Sequence, residues 1–261
     1  MQVLVNENRI KMKATSLIVL LFVLNGSLAQ TTTISSGLYT WKASRGPHEL
    51  LLNGSTTFLE HFEVSIETLK PGEHRFPNKA MSTAEELLIV KEGELTFTWE
   101  GKDKSIGPGS IVFLTPNDIF SPKNQGTTDM VFYMLRYTAK SGADIARGKG
   151  NGGSFIVDWD ELPFKKTDVG GRRDFFNKPT ANCSKFEMHV TTLNEGLPSH
   201  APHEHDLEEI ILLMKGNATM NVAGKDYPMA PGDFVFAASH DFHGIRNSGK
   251  GQCEYFAFQW K

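Results

Sequence analysis

Four side chains in the second half of the sequence have the types and spacing of a metal cradle: His203, His205, Glu209 and His243. His203 and His205 are two residues apart, so on an extended strand both leave the same face. Glu209 lies four beyond His205. That even spacing returns it to the same face if the strand stays regular, and a loop or bulge could also bring it there. His243 would then come from a strand facing the first pair. Three imidazoles and one carboxylate around a point suit a divalent cation. Imidazole accepts Fe, Mn, Ni, Cu and Zn alike; the carboxylate tilts the choice toward Mn²⁺ or Fe²⁺ and leaves Ni, Cu and Zn open. Four protein ligands on an octahedral ion leave about two positions for water, substrate or oxygen. His200 and His240 lie close by, either as donors and proton shuttles to the centre or as exposed surface.

The elements that would carry these ligands emerge from an internal repeat. Glu85-Glu86-Leu87-Leu88-Ile89-Val90-Lys91-Glu92-Gly93 matches Glu208-Glu209-Ile210-Ile211-Leu212-Leu213-Met214-Lys215-Gly216, 123 positions later. The same offset aligns Pro108-Gly109 with Pro231-Gly232, Val112-Phe113 with Val235-Phe236, Asp118 with Asp241 and Asn124 with Asn247. Upstream, Phe62-Glu63 and Gly72 match Phe186-Glu187 and Gly196 at an offset of 124, one residue having been gained or lost between. The chain thus reads as two copies of one unit, 50–137 and 176–261. A Gly-, Lys- and Asp-rich connection over 138–175 suits the surface. Short apolar runs between Gly and Pro turns predict strands, and their spacing predicts a small sandwich or jelly roll in each copy.

The second copy reads His-any-His, Glu, Gly216, then Pro231-Gly232, a strand, His243 and Asn247. This resembles the two motifs of the cupin superfamily, in spacing as well as residue type. The resemblance covers both copies and implies an all-β double-stranded β-helix duplicated in tandem, a bicupin. In the first copy the positions of the three histidines are held by Ala80, Ser82 and Phe120, and only Glu86 survives. His74 is outside the motif register. One metal is therefore expected, in the second copy, with the first supplying packing and Glu86 a relic or a hydrogen-bonded carboxylate. Near the C-terminus Phe256, Phe258 and Trp260 alternate with Tyr255 and Gln259. One set lines the barrel and the other covers it, and the sequence leaves open which.

Arg9, Lys11 and Lys13, the apolar run Leu17 to Leu24 and Ser27-Leu28-Ala29 read as a signal peptide over 1–29, with Met12 an alternative start. The run falls short of the roughly 20 residues of a membrane span. Export to a periplasmic or extracellular space is expected, with no membrane association after cleavage. Asn53, Asn182 and Asn217 begin Asn-any-Ser/Thr sequons that carry little meaning without a host. Such a compartment permits disulfides; the only cysteines, Cys183 and Cys253, read equally as a bridge or as two buried thiols. A net charge of −3 gives no reason to expect nucleic acid. The expected partner is a small-molecule substrate, and the expected state a monomer with an internal pseudo-dimer, a homodimer remaining open.

A cupin resemblance names a fold and a metal cradle, not a reaction. The leading expectation is a mononuclear Mn- or Fe-dependent enzyme, of oxygenase or oxidoreductase type, acting on a small oxygen-rich metabolite. One alternative is a hydrolase resembling (S)-ureidoglycine aminohydrolase, although that family's ligand order Glu, His, His, Gln departs from His203, His205, Glu209, His243 at the first, third and fourth positions. Another is a non-catalytic cupin that holds a metal or a sugar.

Overall fold

A computed structural model of the chain describes residues 32–41, 46–75 and 83–261. The expected signal segment and the positions of Ala80 and Ser82 lie outside the described residues. The described chain is almost entirely β. After a short leading strand β1 (Gly37–Tyr39), the first repeat contains β2 (His48–Gly54), β3 (Leu59–Leu69), β4 (Glu85–Glu92), β5 (Leu95–Trp99), β6 (Lys102–Ile106), β7 (Ile111–Leu114) and β8 (Met130–Ala139). The connection carries α1 (Ile145–Gly150), β9 (Phe155–Val157), a single 3₁₀ turn (Trp159–Glu161) and β10 (Lys165–Thr167). The second repeat follows as β11 (Gly170–Lys178), β12 (Phe186–Leu193), β13 (Glu208–Lys215), β14 (Ala218–Val222), β15 (Lys225–Met229), β16 (Phe234–Ala237), β17 (His243–Asn247) and β18 (Cys253–Trp260).

Each repeat has one large and one small antiparallel sheet. In the second repeat the large sheet has the order β1-β16-β13-β18-β12-β11-β10 and the small one β15-β14-β17. In the first repeat the orders are β2-β3-β8-β4-β7-β9 and β5-β6. The inner face of each large sheet packs on its own small sheet: Leu88, Val90, Phe97 and Phe132 in the first repeat, Ile211, Leu213, Met220 and Ile245 in the second. The outer faces of the two large sheets pack on each other through Phe62, Phe113, Tyr137, Phe186, Phe256, Phe258 and Trp260. Edge-to-face ring pairs such as Phe113–Phe186, 6.2 Å between centroids, fill this interface. Burial on both faces is why β4 and β13 read as continuous apolar runs rather than alternations. It also settles the alternation on β18: Phe256, Phe258 and Trp260 meet the other repeat, while Tyr255 and Gln259 face inward.

The two leading segments cross over. β1 precedes the first repeat but pairs with β16 of the second, Gly37 opposite Phe236. β9 precedes the second repeat but pairs with β7 of the first, Phe155 opposite Phe113. Trp41 lies on Gly232 and Trp159 on Gly109, so a Cβ there would come within 2.9 and 2.6 Å of an indole atom. Both glycines have positive φ, +98° and +89°, and the Pro-Gly turn needs glycine at each for both reasons. The 138–175 segment, expected as a plain surface connection, therefore supplies a strand to each large sheet.

Two buried carboxylates bind the repeats reciprocally. Glu208 accepts from Thr56 Oγ1 (2.6 Å), the Thr57 N–H (2.6 Å) and Trp260 Nε1 (3.0 Å). Glu85 accepts from Thr180 Oγ1 (2.7 Å) and the N–H groups of Ala181 (2.6 Å) and Asn182 (3.1 Å). Burial pushes both carboxyls up, against these hydrogen bonds. The two cysteines are separate buried thiols rather than a bridge. Cys183 lies in the core between the repeats and Cys253 inside the second.

Candidate metal centre

The second repeat holds its four candidate ligands at one end of the space between its sheets. Glu209 is the second residue of β13, whose first, Glu208, faces the other repeat; strand alternation sends the two adjacent carboxylates to opposite duties. His243 opens β17. His203 and His205 are not on a regular strand. Pro198 and Pro202 have no N–H to give, and this stretch meets β17 only in bridges at Pro198–Arg246 and His203–His243. In the second bridge the backbone N–H groups and carbonyls of His203 and His243 exchange bonds of 2.8 and 2.9 Å.

One nitrogen from each of His203, His205 and His243 lies within 4.8 Å of the others. Glu209 Oε2 is 2.9 Å from His243 Nε2 and 3.3 Å from His205 Nε2. The other ring nitrogens of the last two are tied to backbone: His243 Nδ1 to the Asp241 carbonyl at 2.6 Å and His205 Nδ1 to the Leu207 carbonyl at 3.0 Å. Those bonds aim each Nε2 at the centre, the way a metal-ligating histidine is held. The buried Nδ1 of His203 has no hydrogen-bond partner among the described residues. Burial pushes the Glu209 carboxyl up, but hydrogen bonds from His205 and His243, and their charge, outweigh it and bring the group down to about 2. His243 is raised, because Glu209 outweighs the effect of burial. His203 is lowered by burial and by the neighbouring imidazoles. A fixed carboxylate among convergent imidazoles fits a divalent cation.

His200 is exposed, its ring 4.5 Å from that of His203 at the rim. His240 is exposed too, and serves through its backbone N–H, which donates to the His205 carbonyl at 2.8 Å.

The four candidate ligands line a cavity of about 410 Å³. Its floor is apolar (Ile211, Met220, Ile245, Ala257). One wall is a polar cluster that sequence reasoning missed: Arg172 Nη2 donates to Glu187 at 2.9 Å, and Gln259 Nε2 to Glu187 at 3.3 Å. His189 is also there, brought down to about 4 by burial with Arg172 adding, and so neutral at pH 7. The signals were the even spacing of Glu187, His189 and Thr191 on β12 and the alternation that put Gln259 on one face of β18.

In the first repeat the retained carboxylate has a different partner. At the position of Gln259 it has Arg136, whose Nε donates to Glu86 at 2.8 Å and whose Nη1 is 3.4 Å from Glu63. The retained Glu86 is thus an ion-paired group, its cation a guanidinium. Phe120 packs at 4.9 Å on Phe97 in the interior of this repeat.

The family model for the cupin domain matches residues 65–136 and 189–258. The chain belongs to the cupin domain family. Solved cupin-like folds resemble it across most of their length. A protein from Pseudomonas aeruginosa described as glyoxylate-induced shares 17% identity at a TM-score of 0.65, covering 82% of this chain and 80% of that one. Salicylate 1,2-dioxygenase from Pseudaminobacter salicylatoxidans shares 14% at 0.55, covering 76% and 70%. L-ectoine synthase from Vibrio parahaemolyticus is 31% identical over 61 residues, 23% of this chain and 48% of that protein, so this cupin chain spans about half the length of that relative. Enzymes therefore occur among its relatives, and a metal-dependent activity is in keeping with the fold.

Proposed function

We propose that this cupin is an exported enzyme that uses one divalent ion, Mn²⁺ or Fe²⁺ before Ni²⁺, Cu²⁺ or Zn²⁺, to act on a small oxygen-rich metabolite by oxygenase or oxidoreductase chemistry. His203, His205, Glu209 and His243 hold the ion. The observation that carries this reading is the convergence of three imidazole nitrogens, two of them against the Glu209 carboxylate, at a cavity of about 410 Å³. That volume suits a small metabolite, since ligand sites run from roughly 300 to 1,000 Å³. A bound ion supplies Lewis acidity or oxygen activation. Ile211, Met220, Ile245 and Ala257 give the cavity an apolar side, and Arg172, Gln259 and neutral His189 offer donors and an acceptor that orient a polar substrate. The cavity disfavours a purely structural ion, which would be closed over. Elemental analysis of chelator-free protein, followed by oxygen uptake with small acids, phenols and sugars, tests the proposal. Metal at one per chain with substrate-dependent uptake supports it. A metal-free protein, or metal that remains after His243→Ala, sinks it; a loaded protein without uptake removes the oxygenase branch.

A further inference from the structure

We infer that Ser36, on the segment preceding the first repeat, is a positioning residue for the metal centre of the second; this rests on the metal-site reading above. Ser36 Oγ accepts from the Ala238 N–H at 2.8 Å and donates to Asp241 Oδ2. It therefore closes both ends of the 238–241 turn. That turn also holds an Asp241 N–H to Ala238 carbonyl bond of 3.1 Å, and His240 within it has φ +67°. A non-glycine residue in that conformation is strained and stays there only when its surroundings hold it.

The turn touches two of the four ligands, and the strand that leads into it runs beside a third. The Asp241 carbonyl accepts from His243 Nδ1 at 2.6 Å and so orients the ring. The His240 N–H donates to the His205 carbonyl. Ala237, at the turn's start, stands opposite Glu209 in the β13–β16 register. Ser36 reaches this place because β1 crosses over and is anchored by Tyr39 stacked at 5.0 Å on Phe234 and by the Trp41 N–H donating to Asp233 at 3.0 Å.

The first repeat contains the same device. Ser154 Oγ accepts from the Thr115 N–H at 2.8 Å and donates to Asp118 Oδ2, just ahead of β9 on β7. Thr115 and Asp118 match Ala238 and Asp241 in the repeat, but Phe120 stands where His243 does. Nature has thus provided a control: the same bonds around a turn with no imidazole to orient.

The test compares Ser36→Ala with Ser154→Ala in the full chain, stripped with chelator and titrated with Mn²⁺ by electron paramagnetic resonance, alongside melting of the metal-free forms. Ser36→Ala should weaken Mn²⁺ binding about tenfold, the scale of losing a group that orients a ligand, and broaden the bound-Mn²⁺ signal. Ser154→Ala should leave both unchanged while lowering the melting temperature comparably. Ser36→Thr should restore affinity. Ser36→Cys, isosteric and a weaker donor, takes the place of Ser36→Ala if that variant does not fold. Equal Mn²⁺ affinity in the Ser36 variants and the unaltered chain, or equal weakening by Ser154→Ala, overturns the inference. Failure of the metal reading looks different: His243→Ala would then bind Mn²⁺ as well as the unaltered chain.

Discussion

Replacing Arg136 by Gln gives the first repeat the residue that the second has at that position, and removes the guanidinium from between Glu86 and Glu63. At the observed 2.8 and 3.4 Å, each pair attracts by roughly 5–6 kcal/mol at an effective dielectric near 20. Arg136 is buried, but the carboxylates are about one-fifth exposed, so water recovers much of this. Breaking a fully buried pair costs about 3–5 kcal/mol and an exposed one under about 1. We expect about 3 kcal/mol, a fall in melting temperature of about 6–12 °C for a chain of this size. Two carboxylates left facing each other each favour a proton, so Arg136→Gln should regain stability as pH falls through the carboxylate range. Arg136→Gln with Glu86→Gln should regain most of it at pH 7. Scanning calorimetry across pH on the three forms is the assay. If the double variant is as unstable as the single one at every pH, the loss is one of packing, and the guanidinium is not standing in for a metal's charge.

His203→Ala and His243→Ala should each weaken Mn²⁺ binding by more than about 100-fold, beyond the effect of an outer-shell change, as isothermal titration would show. In the metal-free protein His243 is raised, so its contribution is complete below 6.5 and fades as pH rises through its higher folded value. Glu209 is lowered to about 2, so its contribution is complete above 4.5 and fades as pH falls toward that value. Their pair thus stabilises the metal-free chain most fully between 4.5 and 6.5. Mn²⁺ needs neutral imidazoles, so the melting increment it confers should grow from about pH 5 to about pH 8; a flat increment would contradict the ligand set. Glu208→Ala leaves three donors unpaired in the core and should cost about 3 kcal/mol in denaturant melts, while Mn²⁺ stoichiometry stays the same.

The candidate ligands drew notice through their spacing and the repeat, which places Phe120 where His243 falls, but the even step from His203 to Glu209 is not what gathers them, since His203 and His205 lie off any regular strand and reach the site through the bridge to His243. Tandem duplication was legible because the apolar runs at 87–90 and 210–213 sit in the same Glu-Glu and Gly frame. The crossed leading strands were not. Gly37-Leu38-Tyr39-Thr40-Trp41 and Phe155-Ile156-Val157-Asp158-Trp159 share only their tryptophan, at an offset that differs from the rest of the repeat. Nor could the sequence say which face of β18 looks inward, because both faces of that sheet are buried and apolarity stops discriminating between them. Glu86 read as either a relic or a hydrogen-bonded carboxylate; it is the second, and its counterion went unnamed because Arg136 lies fifty residues away on a neighbouring strand. Pairings of that kind depend on sheet register, which spacing within one segment does not encode.

The crossing of β1 and β9 has a consequence for how the chain comes to its native state. Ser36 and Asp241 are 205 residues apart in sequence, and the sheet that carries Glu209 is finished only when residues 37–39 dock on its edge. The opening stretch must therefore wait, unpaired, until the last quarter of the polypeptide has been made. Cutting the gene between β8 and β9 should yield two fragments each missing an edge strand. Such long-range closure is slow, and it makes the polypeptide an all-or-nothing assembly rather than two beads on a string.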